Sequence, residues 1–406
     1  MAKDHNIITG LDIGSFTIKL LAAQKAEGKD NFEALAFFEE PSAGIRKGVV
    51  VNPAEVKETV ARLIEKAEAQ LNEKIDSLYV NIGGSHIFSL FSRGLVSVSR
   101  ADQKISQEDI NRVLQAAETI SLPPNREILD VFRKEFIIDG EGGLKEILGL
   151  QGVRLEAEVL ILGGFSPYLK NLSSVFADSS LPNVNEFIVS PLASAEAVLQ
   201  PKEKELGVAI LDIGAGTTGI AVFEEKDLIH LNIIPIGSAH ITNDIAIGLK
   251  TDIDVAERIK LDFGSLFFKG RDKKEKIKLG NGETLIFSRK QLSKIIEERI
   301  SEIFIQANKE LKEISKERAL PAGIVLTGGG SKMPQIIDLA KKEFRLACRL
   351  GSPRRFSSLG RDPRLSVVSG LISRGFNLDI KKGERDTGLA GKIADKIKSF
   401  FRIFVP

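Results

Sequence analysis

The chain has 406 residues, 43% of them hydrophobic and 28% charged, enough for two or three domains that each bury a core. Its 57 basic residues stand against 55 acidic ones, and a net charge of +2 argues against a nucleic-acid-binding protein, which would carry a strong basic excess. No apolar run approaches the length of about 18 needed to span a membrane, the first residues lack the features of a signal peptide, and a lone cysteine, Cys348, excludes a disulfide framework or a cysteine zinc site and points to a reducing cytoplasm.

ITGLDIG and FTIKLLAAQ read as two strands turning over Gly14-Ser15. Residues 53–71 predict an amphipathic helix with Val56, Val60, Leu63, Ile64 and Ala67 on one stripe. SLYVNIGG is a buried strand ending in glycines. Residues 84–163 then change character. SHIFSLFSRGLVSVSR, FRKEFIIDG and RLEAEVLILGG are strands, and ISQEDINRVLQAAETI between the first two is a helix with Ser106 as N-cap and Glu108 and Asp109 in its first turn. This is a small α+β insert between two pieces of a larger α/β domain. FIVSPLASAEAVLQ leads into GVAILDIGAGTTGIAVF, which echoes the opening hairpin and implies an internal duplication. Residues 253–264 and 288–316 are helical by period, and the charged run 271–283 between them reads as a solvated hairpin. AGIVLTGGGSKMPQIIDLAKKEF is a buried strand, a glycine turn and a helix; residues 377–386 read as a polar linker.

Two copies of D-I-G-[SA] on similar hairpins are the central chemical signal. Glycine turns expose backbone N–H groups that can converge on phosphate oxygens, and small residues let that backbone come close. Ser15, Thr217 and Thr218 would add hydroxyl donors. Asp12 and Asp212, at the strand ends, can hold a hydrated magnesium ion through water. A P-loop motif is missing. His86, His230 and His240 lack metal-ligand spacing and read as ordinary residues. Ser15 has no base positioned to make it a nucleophile.

With these residues in view, the sequence resembles the actin-like ATPase superfamily, and within it the FtsA cell-division family over nearly the whole chain. The resemblance rests on LDIGSFTIK (Leu11–Lys19), LDIGAGTT (Leu211–Thr218), IPIGSAHITNDIAIGL, AERIK (Ala256–Lys260), IVLTGGGSKMP (Ile324–Pro334) and SVVSGLISRG (Ser366–Gly375). It implies an α/β actin-like ATPase fold of two duplicated lobes around a cleft for ATP and Mg. The nucleotide residues it implies are Asp12, Gly14, Ser15 and Lys19 from the first lobe. From the second come Asp212, Gly214, Gly216, Thr217, Thr218, Gly237, Glu257, Lys260, Gly328, Gly329 and Gly330. The expected organisation is a first lobe over 1–83 and 164–192, the family's own inserted subdomain over 84–163, and a second lobe over 193–357 with a smaller subdomain near 226–315. A closing helix over 358–376, the linker 377–386 and a tail over 387–406 complete it.

The chain departs from the family where Ala215 replaces a glycine of the second turn, and its methyl group would crowd the phosphates. The segment Val189-Ser190-Pro191-Leu192 also lacks the acid that filamentous bacterial actins carry there, so slow hydrolysis is expected, with Glu196 a weak catalytic substitute. Arg299 and Glu302 match positions by which the family binds the C-terminal peptide of FtsZ; a solvated helix face is the alternative.

In the tail, Leu389, Ile393, Ile397, Phe400 and Phe404, widened by Phe401, fall on one face of a helix. Lys392, Asp395, Lys396, Lys398 and Arg402 flank and oppose them, a pattern suited to anionic membrane lipid. The expected function is an ATP-binding protein that polymerises on the cytoplasmic face of the cell membrane at the division site, tethers FtsZ and helps assemble other division proteins. Three rivals remain: the actin-like scaffold of type IV pilus assembly, which lacks such a tail; a sugar or acetate kinase of the same fold; and a chaperone-type ATPase, which would need a peptide-binding domain.

Overall fold

A computed structural model describes residues 7–26, 31–120, 122–268, 270–280, 282, 284–314, 316, 319–356 and 358–385, with side chains as far as 378. The six residues of Ile8–Ile13 are all buried, as expected of a central strand covered on both faces. It pairs antiparallel with Thr17–Lys25, Asp12 opposite Lys19. Phe32–Pro41 continues the sheet beyond Thr17–Lys25, while Ser77–Ile82 and Asn183–Val189 add parallel strands on the other side.

The second lobe repeats this plan. Val208–Ile213 pairs antiparallel with Thr218–Glu224, Asp212 opposite Gly219, and Asp227–Ile234 extends that side. Ile324–Thr327 and Cys348–Leu350 add parallel strands on the other. Strand order and directions match between the two five-stranded sheets, which is the duplication expected from the repeated D-I-G.

Pro53–Leu71 places proline in its first turn, ends at Asn72 in the left-handed region (φ 56°), and buries the predicted stripe on the first sheet. Arg289–Glu313, capped by Ser288 accepting from the Gln291 N–H, buries Leu292, Ile296, Ile300, Ile303, Phe304, Ala307 and Leu311 in the second core. Two further helices exchange lobes. Ser190–Val198 follows the last strand of the first lobe yet lies on the second, where a Cβ on Gly219 would come within 2.5 Å of Pro191. Ser366–Arg385 follows the second lobe yet packs on the first sheet through Val368, Leu371 and Ile372. The two cross at Gly370, whose missing Cβ would stand 1.7 Å from the Ala193 carbonyl oxygen, so only glycine lets the backbones touch.

The insert is a four-stranded sheet in the order Phe88–Ser97, Arg154–Phe165, Arg126–Ile138, Glu141–Leu144, with the helix Gln107–Glu118 across it. That helix starts with a capping box between Ser106 and Asp109. The insert grows from the first lobe and leans on the second: the Leu231 N–H donates to Ser89 Oγ at 3.3 Å, and Lys145 pairs with Asp227 at 2.9 Å.

The charged run forms a hairpin of Lys274–Lys278 with Thr284–Ser288, as the sequence suggests. The expected linker at 377–386 is a correction: the closing helix continues to Arg385, because LDIKKGER is rich in good helix formers. The tail residues Leu389, Ile393, Ile397, Phe400, Phe401 and Phe404 lie outside the described residues. Among the described residues no helix is long and apolar enough to cross a membrane.

Candidate functional site

Both D-I-G turns close the same way. The Gly14 N–H donates to the Thr17 carbonyl at 3.2 Å, and the Gly214 N–H to the Thr217 carbonyl at 2.9 Å. The tips face one another across the two lobes: a Cβ on Gly216 would lie 2.6 Å from Ser15 Oγ and 3.0 Å from Lys47 Cα, so a side chain there would push on the first turn. Ser15 Oγ accepts the Gly48 N–H at 2.8 Å, and Ser42 Oγ donates to the Gly14 carbonyl at 2.5 Å, fixing the first turn.

The second turn is gripped from both sides. The N–H groups of Ser238 and Ala239 donate to the carbonyls of Gly214 and Ala215 at 2.8 and 2.9 Å, and a Cβ on Gly237 would strike both carbonyls at 2.6 Å. From the other side Gly328, in the left-handed region at φ 80°, would place a Cβ 2.3 Å from Asp212 Oδ1, and a Cβ on Gly330 would meet Ile213. Gly329 has open space apart from Arg364 at 3.6 Å, so backbone and room meet there. Lys260 is buried and donates to Glu257 at 2.6 Å, to Thr242 Oγ at 2.8 Å and to the Ser238 carbonyl at 3.4 Å. The AERIK helix is thereby tied to the start of the helix Ser238–Leu249 that holds the second turn.

Behind the turns sits a polar cluster that joins the lobes. Asp12 accepts from Lys19 at 3.2 Å and from Asn81 at 3.0 Å. Asn81 also accepts the Ile13 N–H at 2.6 Å and contacts Ser190 Oγ at 3.1 Å. One turn along the crossing helix, Ser194 donates to Asp212. Ser190 and Ser194 thus present one helix face to the carboxylate clusters of the two lobes. Burial pushes the Asp212 carboxyl up to about 6; the Ser194 hydroxyl and the Lys19 charge oppose this, and the charge of Asp12 adds to it. Two carboxylates that repel each other behind two amide-lined turns suit a phosphate-bound divalent cation. Among the described residues no group of three or more acidic, His or Cys side chains could hold a metal alone. Such an ion would therefore be held mainly through water and phosphate, as a small, reluctantly dehydrated cation is.

Some expected roles move. Thr218 is fully buried and donates to the Ile236 carbonyl at 2.7 Å, so its hydroxyl holds the connection between the neighbouring strand and the helix Ser238–Leu249 rather than a phosphate. Thr217 ends the turn by accepting from Gly214 through its carbonyl. Glu196 is paired with Lys204 at 3.1 Å. Arg299 forks onto Asp244 at 2.6 and 2.8 Å and also pairs with Glu302. His230 binds Glu310, His240 accepts from Gly237, and His86 is desolvated to about 4; none joins a metal cluster. Sequence reasoning missed Asn81, Ser190 and Ser194, whose role comes from partners as far as 109 residues away.

Duplicated sheets, exchanged helices and opposed glycine turns define the class of actin-like nucleotide-binding folds. Solved structures share the fold. The PilM-PilN type IV pilus biogenesis complex matches with a TM-score of 0.62 at 16% identity, covering 91% of this chain and 98% of that one. MreB5 of Spiroplasma citri bound to ADP matches with 0.56 at 14%, covering 94% and 99%. The family profile "Cell division protein FtsA" matches residues 209–370, and "SHS2 domain inserted in FTSA" matches 84–162. The cell division protein FtsA of Pseudomonas aeruginosa is 37% identical over 381 residues, 92% of this chain and 90% of that protein. The chain belongs to the FtsA family of actin-like cell-division proteins.

Proposed function

We propose that this protein binds ATP with magnesium between its lobes, turns it over slowly, polymerises on the cytoplasmic face of the membrane and tethers FtsZ there at the division site. The observation that carries the reading is the pair of opposed turns closed by Gly14–Thr17 and Gly214–Thr217, with Ser15 and Gly216 in contact. The ADP in the MreB5 structure supports the same use of this fold. Asp12 and Asp212 would face the cation, the tip amides the phosphates, and Glu257, Lys260 and Gly328–Gly330 the nucleoside. Bound magnesium nucleotide would supply the charge that the amides of both turns meet.

Slow turnover follows from Ser190 standing where a base would be needed, with Glu196 engaged by Lys204. The apolar and cationic pattern of 387–406 supports attachment to anionic lipid. Arg299 and Glu302 support docking of the FtsZ C-terminal peptide, which would compete with Asp244 for the guanidinium. Imaging the purified protein with ATP on anionic lipid monolayers tests the reading against a chain ending at Arg385. Filaments on lipid only with the full chain are expected. Equal lipid binding by the shortened chain would remove the tail from the function.

A further inference from the structure

We propose that Lys47, at the tip of a short hairpin touching both glycine turns, is a cation of the cleft that contacts the terminal phosphate and favours a triphosphate over a diphosphate. The inference rests on the nucleotide reading above. Ile45–Arg46 pairs with Val49–Val50, Ile45 opposite Val50 and Arg46 opposite Val49, which leaves a two-residue turn of Lys47 and Gly48. Both have positive φ, 49° and 75°, as in the type I′ turn that fits the strand twist. Asn, Asp or Gly ordinarily fill the first of these positions. A lysine there is an uncommon choice for this turn.

The hairpin is fixed to the first lobe. The Gly48 N–H donates to Ser15 Oγ at 2.8 Å, Asn171 donates to the Val50 carbonyl at 3.0 Å, and a Cβ on Gly48 would lie 2.8 Å from the Gly84 nitrogen. Its tip reaches the second lobe, where the Lys47 Cα lies 3.0 Å from the point a Cβ on Gly216 would occupy. Residue 47 therefore stands where the two phosphate turns meet. Its side chain is exposed and makes no ion pair among the described residues. The turns offer neutral amides; a triphosphate brings extra charge at its free end, which an ammonium on a flexible stem can meet as a point charge.

The test is calorimetric titration of the full chain with magnesium ATP and magnesium ADP, comparing wild type with Lys47→Asn and Lys47→Arg. Asparagine tolerates positive φ, so Lys47→Asn should melt at or above the wild-type temperature. It should bind ATP about tenfold more weakly, the scale of one charge-assisted contact, and ADP nearly as well as wild type. Lys47→Arg should keep ATP affinity. Unchanged ATP affinity in Lys47→Asn, or equal loss of ATP and ADP, overturns the proposal while leaving the cleft intact. A wild type that binds neither nucleotide overturns the cleft reading itself.

Discussion

The two glycine hairpins share a backbone and differ in what faces the aspartate. Opposite Asp12 stands Lys19, and Asn81 adds an amide, so the first carboxylate has its charge met by an ammonium. Opposite Asp212 stands Gly219, because Pro191 of the crossing helix fills that space, and a serine hydroxyl is its hydrogen-bond partner. The second carboxylate is therefore desolvated and pushed up to about 6. A duplicated scaffold thus gives one settled acid and one that gains from an added cation. Strain of this kind belongs at a site tuned for binding rather than for stability.

The comparison makes opposite predictions for one chemical change. Asp12→Asn leaves the Lys19 ammonium buried without its partner and should cost about 3 kcal/mol, read as a lower urea midpoint. Asp212→Asn removes a disfavoured charge and should stabilise the unliganded protein by roughly 3 kcal/mol at pH 7. The folded pKa of Asp212 is raised, so its stability contribution is full below about pH 4 and is lost as pH rises through about 6. The gap between wild type and Asp212→Asn should open across that window and stay constant above it. Destabilisation by both substitutions would break the contrast. The smallest effect is expected from Ser194→Ala, about 1 kcal/mol, since it deletes the one hydroxyl that favours ionised Asp212 and should move the window upward.

Much of this site can be read from the chain. Glycine at 14 and 237 is dictated by backbone meeting backbone, and at 328 by a positive φ against Asp212 and the Ile213 carbonyl, and those requirements leave their mark as a repeated local motif. Asn81 and Ser190 leave no such mark: each looks like an ordinary polar residue beside a strand, and only the fold brings them to Asp12. Thr218 misleads for the converse reason, since it sits in a phosphate-loop motif but its register against Ile234 turns the hydroxyl to Ile236. The extension of the closing helix to Arg385 was hidden by its polar composition, which resembles a linker although its residues favour helix.

Calorimetric titration of magnesium ATP into wild type and Asp212→Asn is the most direct test of the paired turns as a nucleotide site. Wild type should bind tightly only with magnesium, and the variant, though more stable when unliganded, should bind at least about tenfold more weakly and lose its magnesium dependence. Equal affinity and equal magnesium dependence in the two proteins would contradict the assignment of Asp212 to the cation.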